Sequence, residues 1–137
     1  ERGMTVIVTD AGFAPGTQVE TVALAQLADQ TAVDLANTDD PLALRDHLDR
    51  LTLIRVAFPA FNDGRAFTVA RRLREMGYKG RLLAKGPVIA DQYAMLRRVG
   101  FDGAEIPEDL AARQPAEQWL FRAADWQEHH YQARLRA

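Results

Sequence analysis

Leu51-Thr52-Leu53-Ile54-Arg55-Val56-Ala57-Phe58, running into Pro59-Ala60-Phe61-Asn62-Asp63-Gly64-Arg65, is the stretch on which the reading of this chain turns. Its first half is nearly continuous in apolar residues apart from Thr52 and Arg55. That is the signature of a strand in a parallel sheet whose two faces are both covered by helices. Pro59 ends the strand, Asp63 is placed to cap a helix reaching Met76, and Gly77 supplies its stop. Phe67, Ala70, Leu73 and Met76 recur every three residues and predict the buried face of that helix. Arg55 stands out, because a guanidinium inside a covered strand requires a partner.

Outward from this unit the same alternation continues. Arg81 to Lys85 reads as the next strand, Val88 to Val99 as a helix burying Ile89, Tyr93, Leu96 and Val99, and Gly103 to Ile106 as a last strand ended by Pro107. On the N-terminal side, Ala32 to Ala36 alternates as a strand, and Asp40-Pro41 reads as an N-cap with proline at the first helical position. Thr5 to Thr9 is a β-branched strand followed by a turn through Gly12, Pro15 and Gly16. Residues 18–29 fit a short strand at Val19 and Val22 or a helical turn over Ala23 to Ala28. After Asp109 a helical run over Pro115 to Arg134 carries Trp119 and Trp126 near one stripe. That stripe suits either the chain's own core or a homodimer contact.

The predicted architecture is α/β, a single domain over 1–137 of repeated βα units with a mostly parallel sheet, as an open sheet or a partial barrel. Residues 1–31 form an N-terminal strand region, 32–108 the βα core and 109–137 a helical tail. In such sheets ligands bind at the C-terminal strand edge. The loops Asn37 to Asp40, Asn62 to Arg65, Lys85 to Pro87 and Pro107-Glu108 are expected there.

Composition narrows the chemistry. The chain has 137 residues, long enough for one core, and no cysteine, which removes disulfides, thiolate metal sites and thiol redox chemistry. Any redox role needs a borrowed cofactor, and no residue pattern names one. No apolar run nears the roughly 20 residues of a membrane span and the N-terminus lacks a signal-peptide pattern, so a cytoplasmic protein with Met4 as its natural start is expected. The net charge of -2 hides a division: nine basic against two acidic residues from Arg65 to Arg98 give +7, and the remainder carries -9. This favours a small anion or an acidic partner, set against the simpler reading of solvated helix faces. The glycines form neither a dinucleotide fingerprint nor a P-loop. His47 and His129-His130 have no metal or triad spacing, and the arginines lack interleaved aromatics for nucleic acid.

The candidate anion site therefore comprises Asp63, Gly64, Arg65, Lys85, Gly86, Asp91 and Gln92. Arg65 follows a helix start with unpaired N–H groups and Lys85 closes the next strand, so two cations are available to one oxyanion. Asp63 and Asp91 have competing structural roles as a cap and a first-turn acid.

The segments Phe58-Pro59-x-Phe61-x-Asp63-Gly64-Arg65, Ala70-Arg71-x-Leu73-Arg74, Gly77-Tyr78-x-Gly80, Val88-x-x-Asp91-Gln92 and Arg98-x-Gly100-Phe101-Asp102 share order and spacing with one family. Over Asp40 to Ile106 the chain resembles an uncharacterised bacterial family that carries the label of oxidoreductase involved in sulfite reduction, a domain of unknown function found beside assimilatory sulfite reductase. The resemblance implies a role in sulfite or sulfate reduction, as an accessory or small-anion-binding protein, as an oxidoreductase with a borrowed flavin, nicotinamide or siroheme, or as a non-catalytic interaction module. It also implies sulfite reductase or another sulfur-assimilation protein as a partner.

Overall fold

The apolar run around Arg55 forms β5 (Leu53–Ala57), and its neighbours on both sides run parallel to it. The structure is a computed structural model that describes residues 5–59, 64–114, 116–124 and 126. Its strands are β1 (Thr5–Thr9), β2 (Gly12–Pro15), β3 (Val22–Ala23), β4 (Ala32–Leu35), β5, β6 (Arg81–Lys85) and β7 (Gly103–Pro107). They form one open sheet in the order β2-β1-β7-β6-β5-β4-β3. β3 to β7 are parallel, whereas β1 pairs antiparallel with both β7 and β2.

One expectation needs correction at the N-terminus. The segment through Gly12 and Pro15 is the edge strand β2, because Gly12, at φ +107, closes a tight hairpin in which Thr9 faces Gly12. In 18–29 the structure holds both alternatives in miniature, β3 followed by a 3-10 turn at Leu24–Gln26.

The helices follow their punctuation. Asp40 caps a helix as expected, its side chain accepting the Leu42 N–H at 3.0 Å, but Pro41–His47 is 3-10. α1 (Arg65–Glu75) begins at Gly64 and buries Ala66, Val69, Ala70 and Leu73. Phe67 and Met76 sit at the margin of that face, since the buried stripe follows the i, i+3, i+4 spacing rather than a strict period of three. A 3-10 turn at Ala90–Gln92 precedes α2 (Tyr93–Val99), which ends on left-handed Gly100. α3 (Glu108–Arg113) starts directly after Pro107 and is a separate helix, ahead of the tail run, that the sequence did not announce. Residues 116–124 are again helical, with Trp119 and Ala123 buried and the Trp119 Nε1 donating to the Gln114 carbonyl at 2.9 Å.

Because β4 to β7 follow one another in both chain and sheet order, their crossovers stack on a single face. That face carries Val33, Leu35, Ile54, Val56, Leu82, Ala84, Ala104 and Ile106, which share one core with α1, α2, α3 and Trp119. The expectation of helices on both faces is therefore wrong. The other face holds a small apolar cluster of Ile7, Ala32, Leu53 and Leu83, together with Asp34, Arg55 and Glu105. It is crossed by residues 16–21, which join the edge strand β2 to the opposite edge strand β3.

This strap fixes the shape of the sheet. Seven strands laid flat would set their outer members about 29 Å apart. The seven residue steps from Pro15 to Val22 reach only about 25 Å. The sheet must curl toward the strap, which makes it an open trough with helices on its convex side.

Candidate functional site

Parallel pairing carries the C-terminal ends of β4 to β7 to one edge, with Ala57 beside Lys85 and Lys85 beside Glu105. At this edge α1 starts behind its Gly64 N-cap, whose φ of -88 is helical and which has no side chain to satisfy the first N–H groups. Arg65 and Arg72, seven residues apart and so on one helix face, border a cavity of about 260 Å³ completed by Thr68, Val69, Asn37, Asp39, Asp40 and Pro41. Asp39 accepts the Ala36 N–H at 2.9 Å and Asp40 the Leu42 N–H at 3.0 Å, so each commits one oxygen to shaping its loop. The cavity thus sets two arginines on its helical wall against two aspartates on its loop wall.

The other predicted residues are distributed along the same edge. Lys85 is exposed at the end of β6, but strand alternation sends it to the face of Leu83, away from the helix layer, and it does not line the Arg65 cavity. Gly86 is required for packing: its φ is +146, and a Cβ there would lie 2.0 Å from the Phe58 carbonyl oxygen. The Phe58 N–H donates to the Lys85 carbonyl at 2.8 Å, locking the two strand ends together. Asp91 borders a separate cavity with Glu117, Phe121 and Arg122, and its carboxylate meets Arg122 at 2.8 Å. The Gln92 side chain accepts the Ile89 N–H at 3.1 Å. Asp63 lies outside the described residues.

At the opposite edge the resemblance motifs prove to be architectural. Arg74 donates to the carbonyls of Gly100, Tyr78 and Gly80 at 2.9–3.0 Å and to Asp102 at 3.1 Å, binding the α1–β6 and α2–β7 turns together. Asp102 in turn accepts the Leu82 N–H at 2.9 Å. Burial pushes the Tyr78 phenol up to about 12, and its hydroxyl donates to the Arg81 carbonyl. Arg97 meets Asp10 at 3.3 Å and lies over the Trp126 ring, while Tyr93 donates to Asp10 and is pushed far above its ordinary value by burial and that carboxylate.

The largest group of charges that the sequence reading left unassembled surrounds Arg55. Its guanidinium donates to both Asp34 oxygens at 2.6 and 2.7 Å, to Glu105 at 3.1 Å and to the Thr21 hydroxyl at 2.8 Å. Glu105 also accepts from the Thr5 hydroxyl, the Thr17 N–H and the Thr17 hydroxyl. Burial raises the Glu105 carboxyl, but these donors outweigh it and hold the group down at about 2. Burial likewise opposes the charge on Arg55, yet its two carboxylates raise it above its ordinary value. The signal was present, since Asp34, Arg55 and Glu105 are charged positions inside three apolar strands. Spacing alone does not pair them.

Fold and cleft together define a mixed α/β protein with an open, mostly parallel sheet and, at its C-terminal edge, a cavity walled by Arg65 and Arg72 on one side and Asp39 and Asp40 on the other. The chain belongs to the family described as bacterial protein of unknown function (DUF934), whose model matches residues 32–137 and thus starts at the first residue of β4. No curated protein and no solved structure matches the chain. Among the described residues no helix is long and apolar enough to cross a membrane, and no cluster of His, Asp or Glu is arranged to hold a metal ion.

Proposed function

We propose that the chain is an accessory protein of assimilatory sulfite or sulfate reduction that holds a small anion, such as sulfite, sulfate or a phosphorylated sulfur metabolite, beside Arg65. The observation that carries the anion is the cavity in which Arg65 and Arg72 flank the first turns of α1. The pathway rests on the sequence resemblance over Asp40 to Ile106. In this reading Asp63 and Gly64 shape the helix start, Lys85 and Gly86 extend the same edge, and Asp91 and Gln92 hold the neighbouring turn. On the same reading the protein acts in the cytoplasm beside sulfite reductase or another sulfur-assimilation protein.

Charge-assisted hydrogen bonds contribute about 1.5–3 kcal/mol each, so Arg65→Ala should raise the dissociation constant for sulfite roughly 10- to 100-fold. Arg72 borders the same cavity, so Arg72→Ala should weaken binding as well, and Arg81→Ala at the start of β6 is the control. Calorimetric titration decides it: unchanged affinity in Arg65→Ala removes the anion site. Gene deletion tests the pathway, which predicts growth rescued by sulfide but not by sulfite; normal growth on sulfate removes it. The oxidoreductase alternative requires saturable binding of a flavin, nicotinamide or siroheme.

A further inference from the structure

The cationic stretch from Arg65 to Arg98 divides in two once its partners are known. Arg74 and Arg97 are consumed internally, by Asp102 and by Asp10. Arg71, Arg72 and Arg98 are exposed and make no hydrogen bond or ion pair among the described residues. Arg71 and Arg72 line a groove of about 390 Å³ between α1 and α2, together with Phe67, Thr68, Met95 and Val99 and with Glu75 at its end. Arg98, three residues on from Met95, stands on the same side of α2.

The groove is amphipathic in a specific way. Met95 is 41% exposed, although it lies on a two-turn helix whose Tyr93, Leu96 and Val99 are buried. Phe67 packs its ring against Phe58 at 5.5 Å and leaves its outer side in the groove. A flexible thioether beside an aromatic edge is an adaptable apolar floor. Arg71 and Arg72 stand at the groove against the one acid Glu75, with Arg98 next to Met95 on α2, and arginine is favoured where carboxylates are met in a partly desolvated setting.

We infer that the α1–α2 groove is a docking surface for an acidic amphipathic segment of a partner protein, its apolar side chains resting on Phe67 and Met95 and its carboxylates meeting Arg71, Arg72 and Arg98. Charge complementarity selects this occupant. A nucleic acid would leave the thioether floor unused and would meet Glu75 with its phosphates, and the exposed aromatics needed to stack bases are absent from the rim. Thr68 and Arg72 line both this groove and the Arg65 cavity, so a docked segment would border the anion site. The inference does not depend on that anion, because Arg71, Met95 and Arg98 lie outside its cavity.

The test places a photoreactive p-benzoylphenylalanine at Met95 in the full chain inside cells, with the same probe at Val19, 60% exposed on the strap, as background. Adducts are mapped to the residue by mass spectrometry. The expected result is an adduct specific to Met95 whose cross-linked segment has apolar residues flanked by Asp and Glu. The double reversal R71E/R98E should reduce it at least tenfold, while Lys79→Glu leaves it unchanged, with thermal melting verifying that both variants are folded. No adduct above the Val19 background, an adduct to nucleic acid, to a second copy of this chain or to a segment without acidic flanks, or one insensitive to R71E/R98E overturns the inference. Sulfite titration of R71E/R98E separates the two proposals, since loss of the adduct with sulfite affinity retained supports docking independently of the anion site.

Discussion

The two faces of the sheet solve the same problem with opposite chemistry. The convex face buries Ile54, Val56, Leu82 and Ala84 under the helical layer, and its cohesion is spread over many interchangeable apolar contacts. The concave face is covered mainly by six residues, too few to exclude water by apolar area alone. Here Arg55, 7% exposed, and Glu105, 2% exposed, tie the strap down through Thr17 and Thr21. A thin cover is held by directional bonds where a thick one is held by area. The price is that each bond on the concave face needs its counterpart present.

That comparison is most exposed to failure at Arg55. Arg55→Met should cost about 3–5 kcal/mol in urea unfolding, because Glu105 would then be buried without a cation, the partly exposed Asp34 adding less. Replacing all three as Asp34→Leu/Arg55→Met/Glu105→Leu should recover most of that loss. If the triple variant is no more stable than the single one, unpaired charge is not what governs this face.

On the convex face Leu82→Ala should cost about 2–5 kcal/mol as a cavity. A paired methionine at a neighbouring position should restore part of it, a repair for which Arg55→Met has no equivalent. Failure of such repacking would erase the distinction between the faces.

Acid should act on one face first. The Glu105 carboxyl stands at about 2 in the folded protein against 4.5 ordinarily, so its contribution is complete above about pH 4.5 and is lost as pH falls toward 2. Stability measured from pH 5 to 2.5 should therefore decline in the wild type and decline less steeply in Glu105→Gln. Parallel profiles would mean that other carboxylates dominate.

The smallest effect is expected far from both faces. Asp91 and Arg122 form an exposed pair, and Asp91→Ala should change stability by no more than about 1 kcal/mol. A larger loss would show that the turn at Ala90–Gln92 depends on it.

Legibility of the sequence followed the range of the interactions. Asp40-Pro41, Gly77, Gly100 and the run of β5 act within a few residues of themselves, and each was readable from its own neighbourhood. The direction of β1 and the single-sided helix layer depend on which distant strands meet, and β1 alternates in the same way whether it runs with or against β7. Arg55 announced that it required partners without naming them, since Asp34 and Glu105 lie 21 and 50 residues away. At the candidate site, adjacency in the chain placed Arg65 at the C-terminal strand edge, but Arg72 was hidden among helix-surface arginines until the 36–41 loop faced it.

The strap also bears on the order in which the chain becomes ordered. Thr5 and Thr17 meet Glu105 across 100 and 88 residues, so β1 leaves a ribosome long before the residue that anchors it. β3 to β6 can assemble progressively as each crossover emerges, whereas β1, β2 and the strap must wait for β7. During that interval Ile7 and Val8, buried in the finished protein, have no sheet to join, and the N-terminal hairpin is the part of the nascent chain on which a chaperone would have most to hold.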